Sequence, residues 1–205
     1  MEHKDLLKEI GQIRSMMEKS SKFISISGLS GVLIGMYALI GAFFAYIKVY
    51  GFKSSFPYRD RYVADNDIIV YLLVLALCVL LASLITGVLM AKRKAKRVKQ
   101  SVWNQTSKSM LLAMAVPLVT GGLFSVLMVG KGYYGLVAGS LLLFYGLSLF
   151  AASAYTFKEI RWLGMLDILL GLLAMLLPGY GLWFWVLGFG LLHIIYGFIV
   201  YKKYE

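Results

Sequence analysis

Ile68–Met90 reads IIVYLLVLALCVLLASLITGVLM, and Ala91–Gln100, which follows without a break, reads AKRKAKRVKQ. Twenty-three residues without a charge, at about 1.5 Å per residue in a helix, cover the roughly 30 Å hydrocarbon core of a bilayer. Six cations directly behind such a span mark its cytoplasmic end.

The rest of the chain repeats this pattern. Of 205 residues, 60% are hydrophobic and only 15% charged, and the mean hydropathy is +0.77, which excludes an ordinary soluble domain. Apolar stretches long enough to cross a membrane run over 23–50, 67–90, 109–130, 133–157, 162–177 and 180–201. They leave no room for a separate soluble catalytic module. The third and fourth are joined by Gly130-Lys131-Gly132 and the fifth and sixth by Pro178-Gly179-Tyr180, turn residues that predict two tight antiparallel hairpins. Leu-rich, non-alternating runs are helices rather than barrel strands. The expected fold is an all-α integral membrane protein: a six-helix transmembrane bundle over 23–205, preceded by a cytoplasmic segment at 1–22.

Charge sets the orientation. Sixteen of the 21 Lys and Arg fall in the N-terminal arm, the loop after the second span, the loop after the fourth and the C-terminal tail; Lys48, Lys53, Arg59, Arg61 and Lys131 fall on the other side. By the positive-inside rule both termini are cytoplasmic, in a multi-pass protein of the cell inner membrane. The net charge of +11 is therefore mostly topological. The first 22 residues mix charge signs and lack a cleavage-site pattern, so the first span itself is expected to direct insertion. Leu6, Ile10, Ile13 and Met17 recur at helical spacing, which predicts an amphipathic helix on the cytoplasmic surface or against a partner helix.

Lys92, Arg93, Lys94, Lys96, Arg97 and Lys99 anchor the topology and are placed to meet anionic lipid at the cytoplasmic face. Neither aromatic interleaving nor a folded basic domain points to nucleic acid. On the external side, Phe52, Phe56, Tyr58 and Tyr62 are expected at headgroup level.

Glycines occur seven apart in four spans: Gly28 and Gly35, Gly139 and Gly146, Gly164 and Gly171, Gly190 and Gly197; Gly31 adds a small-residue ridge with Ser27 and Gly35. Such ridges let helix backbones approach closely. The second span has a single glycine near its end and is expected at the periphery. At an offset of 51 residues, Gly139, Leu141, Tyr145 and Gly146 map onto Gly190, Leu192, Tyr196 and Gly197, the trace of a duplication.

Arg161–Tyr201, RWLGMLDILLGLLAMLLPGYGLWFWVLGFGLLHIIYGFIVY, resembles the hairpin of the HdeD-like short membrane proteins, with paired glycines, a Pro-Gly turn and glycines in the return helix. Over its length the chain also resembles uncharacterised six-helix proteins of Bacteroidota, notably in SGLSGVLIGMYALIGA and GFGLLHIIYG. The resemblance implies a six-helix inner-membrane protein connected with acid stress. The long basic loop and the aromatic external loop depart from the short loops of the HdeD-like family.

Two ionisable residues lie well inside the spans, Asp167 and His193, and such groups are costly in lipid unless partnered. Counted from the turn at Gly179 they reach nearly the same depth. They form a proton relay or pH switch, or a structural polar contact between helices, or they are unrelated groups that each snorkel or bond a backbone carbonyl; helix rotation decides which. Tyr145, Tyr155 and Tyr196 add hydroxyls expected to bond within the bundle. Cys78 is the only cysteine, so no disulfide framework forms, and a His and an Asp are too few ligands for a catalytic zinc. The reading is a non-enzymatic membrane protein without cofactor, a structural or sensory bundle acting through partners, with a small proton-coupled transporter or channel using Asp167 and His193 as the alternative. A second copy of the chain or another membrane protein is the partner left open.

Overall fold

The computed structural model describes residues 27–51, 66–97 and 101–205. The helix expected within 1–22, the aromatic residues of the external loop and Lys99 lie outside the described residues.

Among the described residues the chain is helical and without strands. Its elements are α1 (Gly28–Tyr50), α2 (Asn66–Arg97), α3 (Gln105–Gly130), α4 (Tyr134–Ala152), α5 (Lys158–Leu176) and α6 (Gly181–Tyr204), the last interrupted by a π-helical stretch over Val186–Leu192. All but α5 are long and apolar enough to cross a membrane. The exception carries Lys158, Glu159, Arg161 and Asp167 within 19 residues.

Local chemistry explains the ends. A capping box starts α3: Asn104 Oδ1 accepts from the Ser107 backbone N–H at 2.8 Å, and Ser107 Oγ accepts from the Asn104 backbone N–H at 3.0 Å, which satisfies donors that a helix start leaves free. The two hairpin turns rest on Gly132 (φ +79°) and Gly179 (φ +107°), in a region where a side chain would be strained. Three boundaries differ from the apolar pattern. The α2 helix runs on through the basic residues to Arg97, because Lys and Arg are good helix formers. The fourth helix stops at Ala152 and the fifth starts at Lys158, because Thr156 and Phe157 turn inward and are buried. Phe157 stacks on Tyr204 at 4.2 Å between ring centroids.

Two antiparallel helix pairs form the centre, each closed by glycine. In the first, α4 lies on α5: a Cβ on Gly146 would sit 2.6 Å from the Gly164 carbonyl oxygen, and one on Gly171 would sit 2.9 Å from that of Gly139. In the second, α1 lies on α6: a Cβ on Gly197 would sit 2.6 Å from the Gly28 carbonyl oxygen, and one on Gly35 would sit 2.7 Å from that of Gly190. Gly31 also meets the Gly197 backbone. Without side chains between them the backbones touch, and dispersion acts over the whole seam. The α6 helix also packs on α4 and α5, which joins the pairs.

The remaining two helices flank this centre. The α2 helix packs chiefly on α1 and α3 on α4. Ala95 is the only buried residue of α2, so the bulky second helix is peripheral. Its Leu77, Leu81, Leu84 and Ile85, with Val116, Val119, Leu123 and Val126 of α3, leave large apolar faces uncovered. Such surface is far beyond what a water-soluble monomer exposes and is compatible with a membrane bundle. Cys78 sits on this outer face, exposed.

Candidate functional site: a buried polar cluster between α4, α5 and α6

Asp167 on α5 and His193 on α6 are both buried in the bundle, Asp167 with no accessible surface at all. They do not bond to each other. His193 uses both ring nitrogens elsewhere: Nδ1 lies 2.8 Å from the Gly188 carbonyl oxygen and Nε2 lies 2.8 Å from the Tyr145 hydroxyl. A carbonyl only accepts, so Nδ1 carries the proton; in the neutral ring Nε2 is then the acceptor and the Tyr145 hydroxyl donates to it. Tyr145 reaches across from α4, its ring 5.1 Å from that of Phe189 and 5.4 Å from that of His193.

Asp167 is different. Both carboxyl oxygens are buried without a hydrogen-bond partner among the described residues. The carboxyl faces the same glycine from the other side: a Cβ built on Gly188 would sit 3.0 Å from Oδ1 and would overlap Leu142 of α4. Gly188 is thus a neighbour of both ionisable residues: a side chain there would meet Asp167 Oδ1, and its carbonyl accepts from His193. The hydroxyl of Tyr196, one turn beyond His193, is also buried without a partner among the described residues.

The π-helical stretch makes this arrangement. A π turn is wider than an α turn and re-aims the residues that follow it, which is why such turns gather at functional places. Here it contains Gly188 and Gly190. The second lies against Leu39 of α1, a Cβ there being 3.0 Å from Leu39 Cγ. The His193 backbone N–H donates to the Gly190 carbonyl while its side chain donates to that of Gly188. Nothing in the run VLGFGLL distinguishes this geometry from an ordinary Leu/Gly helix, so it is not legible in the sequence. Tyr145 carries a signal in retrospect, since the 51-residue offset pairs it with Tyr196 and both reach the same core.

Three of the middle hairpin's hydroxyls bond to backbone carbonyls, while that of Ser125 is buried without a partner among the described residues. Ser140 donates to the Leu136 carbonyl at 2.8 Å and Ser153 to that of Phe150 at 2.6 Å, while Ser148 crosses to the Met114 carbonyl of α3 at 3.1 Å. Pro117 lies inside α3, which continues through it.

At the end of the bundle that carries the basic run, the helix termini are tied by charge. Glu205 accepts from the Gly28 backbone N–H at 2.8 Å, at the start of α1, and pairs with Lys94 of α2 at 3.3 Å. Glu159 of α5 pairs with Lys203 at 2.6 Å and accepts from Tyr204. Partial burial works to raise both carboxyls, but it is outweighed. The Lys203 and Tyr204 hydrogen bonds hold Glu159 below the usual range, and bonds to Ser27 and Gly28 together with Lys94 do so for Glu205. Of the basic run, Lys94 is therefore turned inward, also 5.6 Å from the Phe157 ring centroid. Lys92, Arg93, Lys96 and Arg97 are exposed.

Among the described residues no three His, Cys, Asp or Glu side chains converge. The chemistry the cluster offers is the binding and release of protons. Neither protein families, nor curated proteins, nor solved structures provide a match to this chain.

Proposed function

We propose that this chain is a non-enzymatic sensory bundle of the bacterial inner membrane, spanning it six times with both termini in the cytoplasm, and that protonation at Asp167 is its input. The observation that carries this reading is a fully enclosed carboxyl whose two oxygens meet no donor. A buried carboxylate without partners costs many kcal/mol, so gain or loss of its proton must act on the packing around it. That packing is the thin contact of Asp167 with Gly188, inside the π-helical stretch that also aims His193 at Tyr145. The displacement passes along α5 and α6 to their cytoplasmic ends, where Glu159, Lys203 and Glu205 tie the helices together. The exposed part of the basic run, resting on anionic lipid, is the surface offered to a partner. The resemblance of α5 and α6 to the HdeD-like hairpin agrees with an acid-related role.

The alternative, a small proton-coupled transporter or channel, would use the same carboxyl as its coupling site. The enclosure of Asp167 favours the sensor. Both are tested on protein reconstituted in liposomes and nanodiscs. For the sensor, tryptophan emission shows a pH-dependent step in wild type that Asp167→Asn removes, while proton flux stays at the empty-liposome level. A step that persists unchanged in Asp167→Asn overturns the proposal. Flux above the control that vanishes in Asp167→Asn replaces the sensor by the transporter.

A further inference from the structure

At the end of the bundle opposite the basic run, a cavity of about 290 Å³ opens between α1, α2, α4 and the start of α6. It approaches the lower limit of about 300 Å³ typical of ligand pockets. Small residues hollow it out: Gly41, Ala42 and Ala45 on α1, Ala76 on α2, Ala138 on α4 and Gly181 on α6. The walls are otherwise aliphatic, and Trp185 closes one side. Ala42 and Ala45 of its lining are buried while Leu73 is exposed, so the space is a groove recessed between helices and open along one side.

Its depth identifies an occupant. The lining of α1 runs from Tyr50, the last residue of the helix, back to Gly41, nine residues or about 14 Å along the axis. That is close to half of the roughly 30 Å hydrocarbon core, the length of one leaflet's acyl chains. The mouth has the chemistry of a headgroup level. Tyr46 lies against Tyr50 and Trp183, with ring centroids 5.3 Å and 6.3 Å away. Lys48 stands 5.5 Å from the Tyr71 ring centroid, and exposed Lys131 follows Val129 of the lining by two residues. Against these two cations the described residues at this end hold one acid, Asp67.

We infer that this groove holds one acyl chain of a phospholipid of the outer leaflet, whose phosphate meets Lys48 and Lys131. The inference rests on the membrane placement and is independent of the proton site. An annular lipid slides over a convex helix face; a chain seated here would be enclosed on several sides and would stay with the protein.

Native mass spectrometry of detergent-purified protein tests this. Wild type should carry one phospholipid per chain that survives detergent exchange. Ala138→Phe and Ala76→Phe, which fill the groove, should lower retention at least about tenfold, a difference of about 1.4 kcal/mol. Leu112→Phe on the exposed face of α3 should leave it unchanged. Ala76 lies on the peripheral helix, so that variant keeps the core intact even where Ala138→Phe disturbs folding. The double variant Lys48→Gln with Lys131→Gln should weaken retention several-fold, and unchanged retention there overturns the phosphate contact. Wild type that retains no phospholipid, or Ala76→Phe that retains as much as wild type, overturns the site.

Discussion

His193 is held at both ring nitrogens and Asp167 at neither oxygen, and this asymmetry sets what each substitution does. Tyr145→Phe removes the donor to Nε2 and leaves a buried acceptor unsatisfied, which costs about 1–3 kcal/mol. The loss should appear as a lower thermal midpoint in detergent, and an unchanged midpoint would refute the Tyr145–His193 hydrogen bond. Asp167→Asn replaces an unpartnered acid by a neutral group of the same shape. Because the amide does not ionise, the variant should lose the pH response of the core, and a response that persists would assign it to another group. The sequence shows Asp167 and His193 as ionisable residues within the spans at nearly one depth, because hydropathy and residue counting suffice for that. It does not show that each turns to Gly188 rather than to the other, since rotation about a helix axis depends on neighbours that periodicity cannot specify.

The paired helices are joined by absence of side chains. In α4 on α5 and in α1 on α6, the glycines spaced seven apart face one another across the seam, and two turns of helix separate successive contacts. Gly146→Ala and Gly164→Ala would each drive a methyl into opposing backbone and should destabilise by about 1–3 kcal/mol. Gly87→Ala and Gly122→Ala meet open space within 4 Å and should be neutral, or stabilising by up to about 1 kcal/mol through helix propensity. Thermal midpoints of the four variants check this, and equal effects in both groups would refute the seam. The spacing is visible in the sequence, but which helices it pairs is not: α1 joins the last helix rather than the second, a contact between the two ends of the chain. The π-helical stretch escapes for another reason. Its glycines face Leu39, Leu142 and Asp167 from three other helices, neighbours that periodicity along one helix does not name.

For the whole molecule, the ion pairs at the basic end predict an acid limit. Both Glu159 and Glu205 are held below the ordinary carboxylate range. Their contribution is therefore complete above that range and is lost as pH falls through the depressed values. The Glu159 and Glu205 side chains are 17% and 19% exposed, partly buried at the helix ends, and each pair is worth roughly 1 kcal/mol. Glu159→Gln with Glu205→Gln should lower stability slightly at neutral pH and converge with wild type in acid, in melts of detergent-solubilised protein followed against pH. Parallel curves at all pH values would show that these pairs contribute nothing.

The peripheral position of α2 also bears on how many copies work together. Cys78, the sole thiol of the chain, points outward from that helix at a point well removed from the glycine seams and the polar cluster. A paramagnetic tag attached there in detergent becomes a ruler that requires no prior mutagenesis. After transfer to a bilayer, a dipolar distance between tags reads the spacing of two molecules that associate, and its absence at high dilution reads a protein that acts alone.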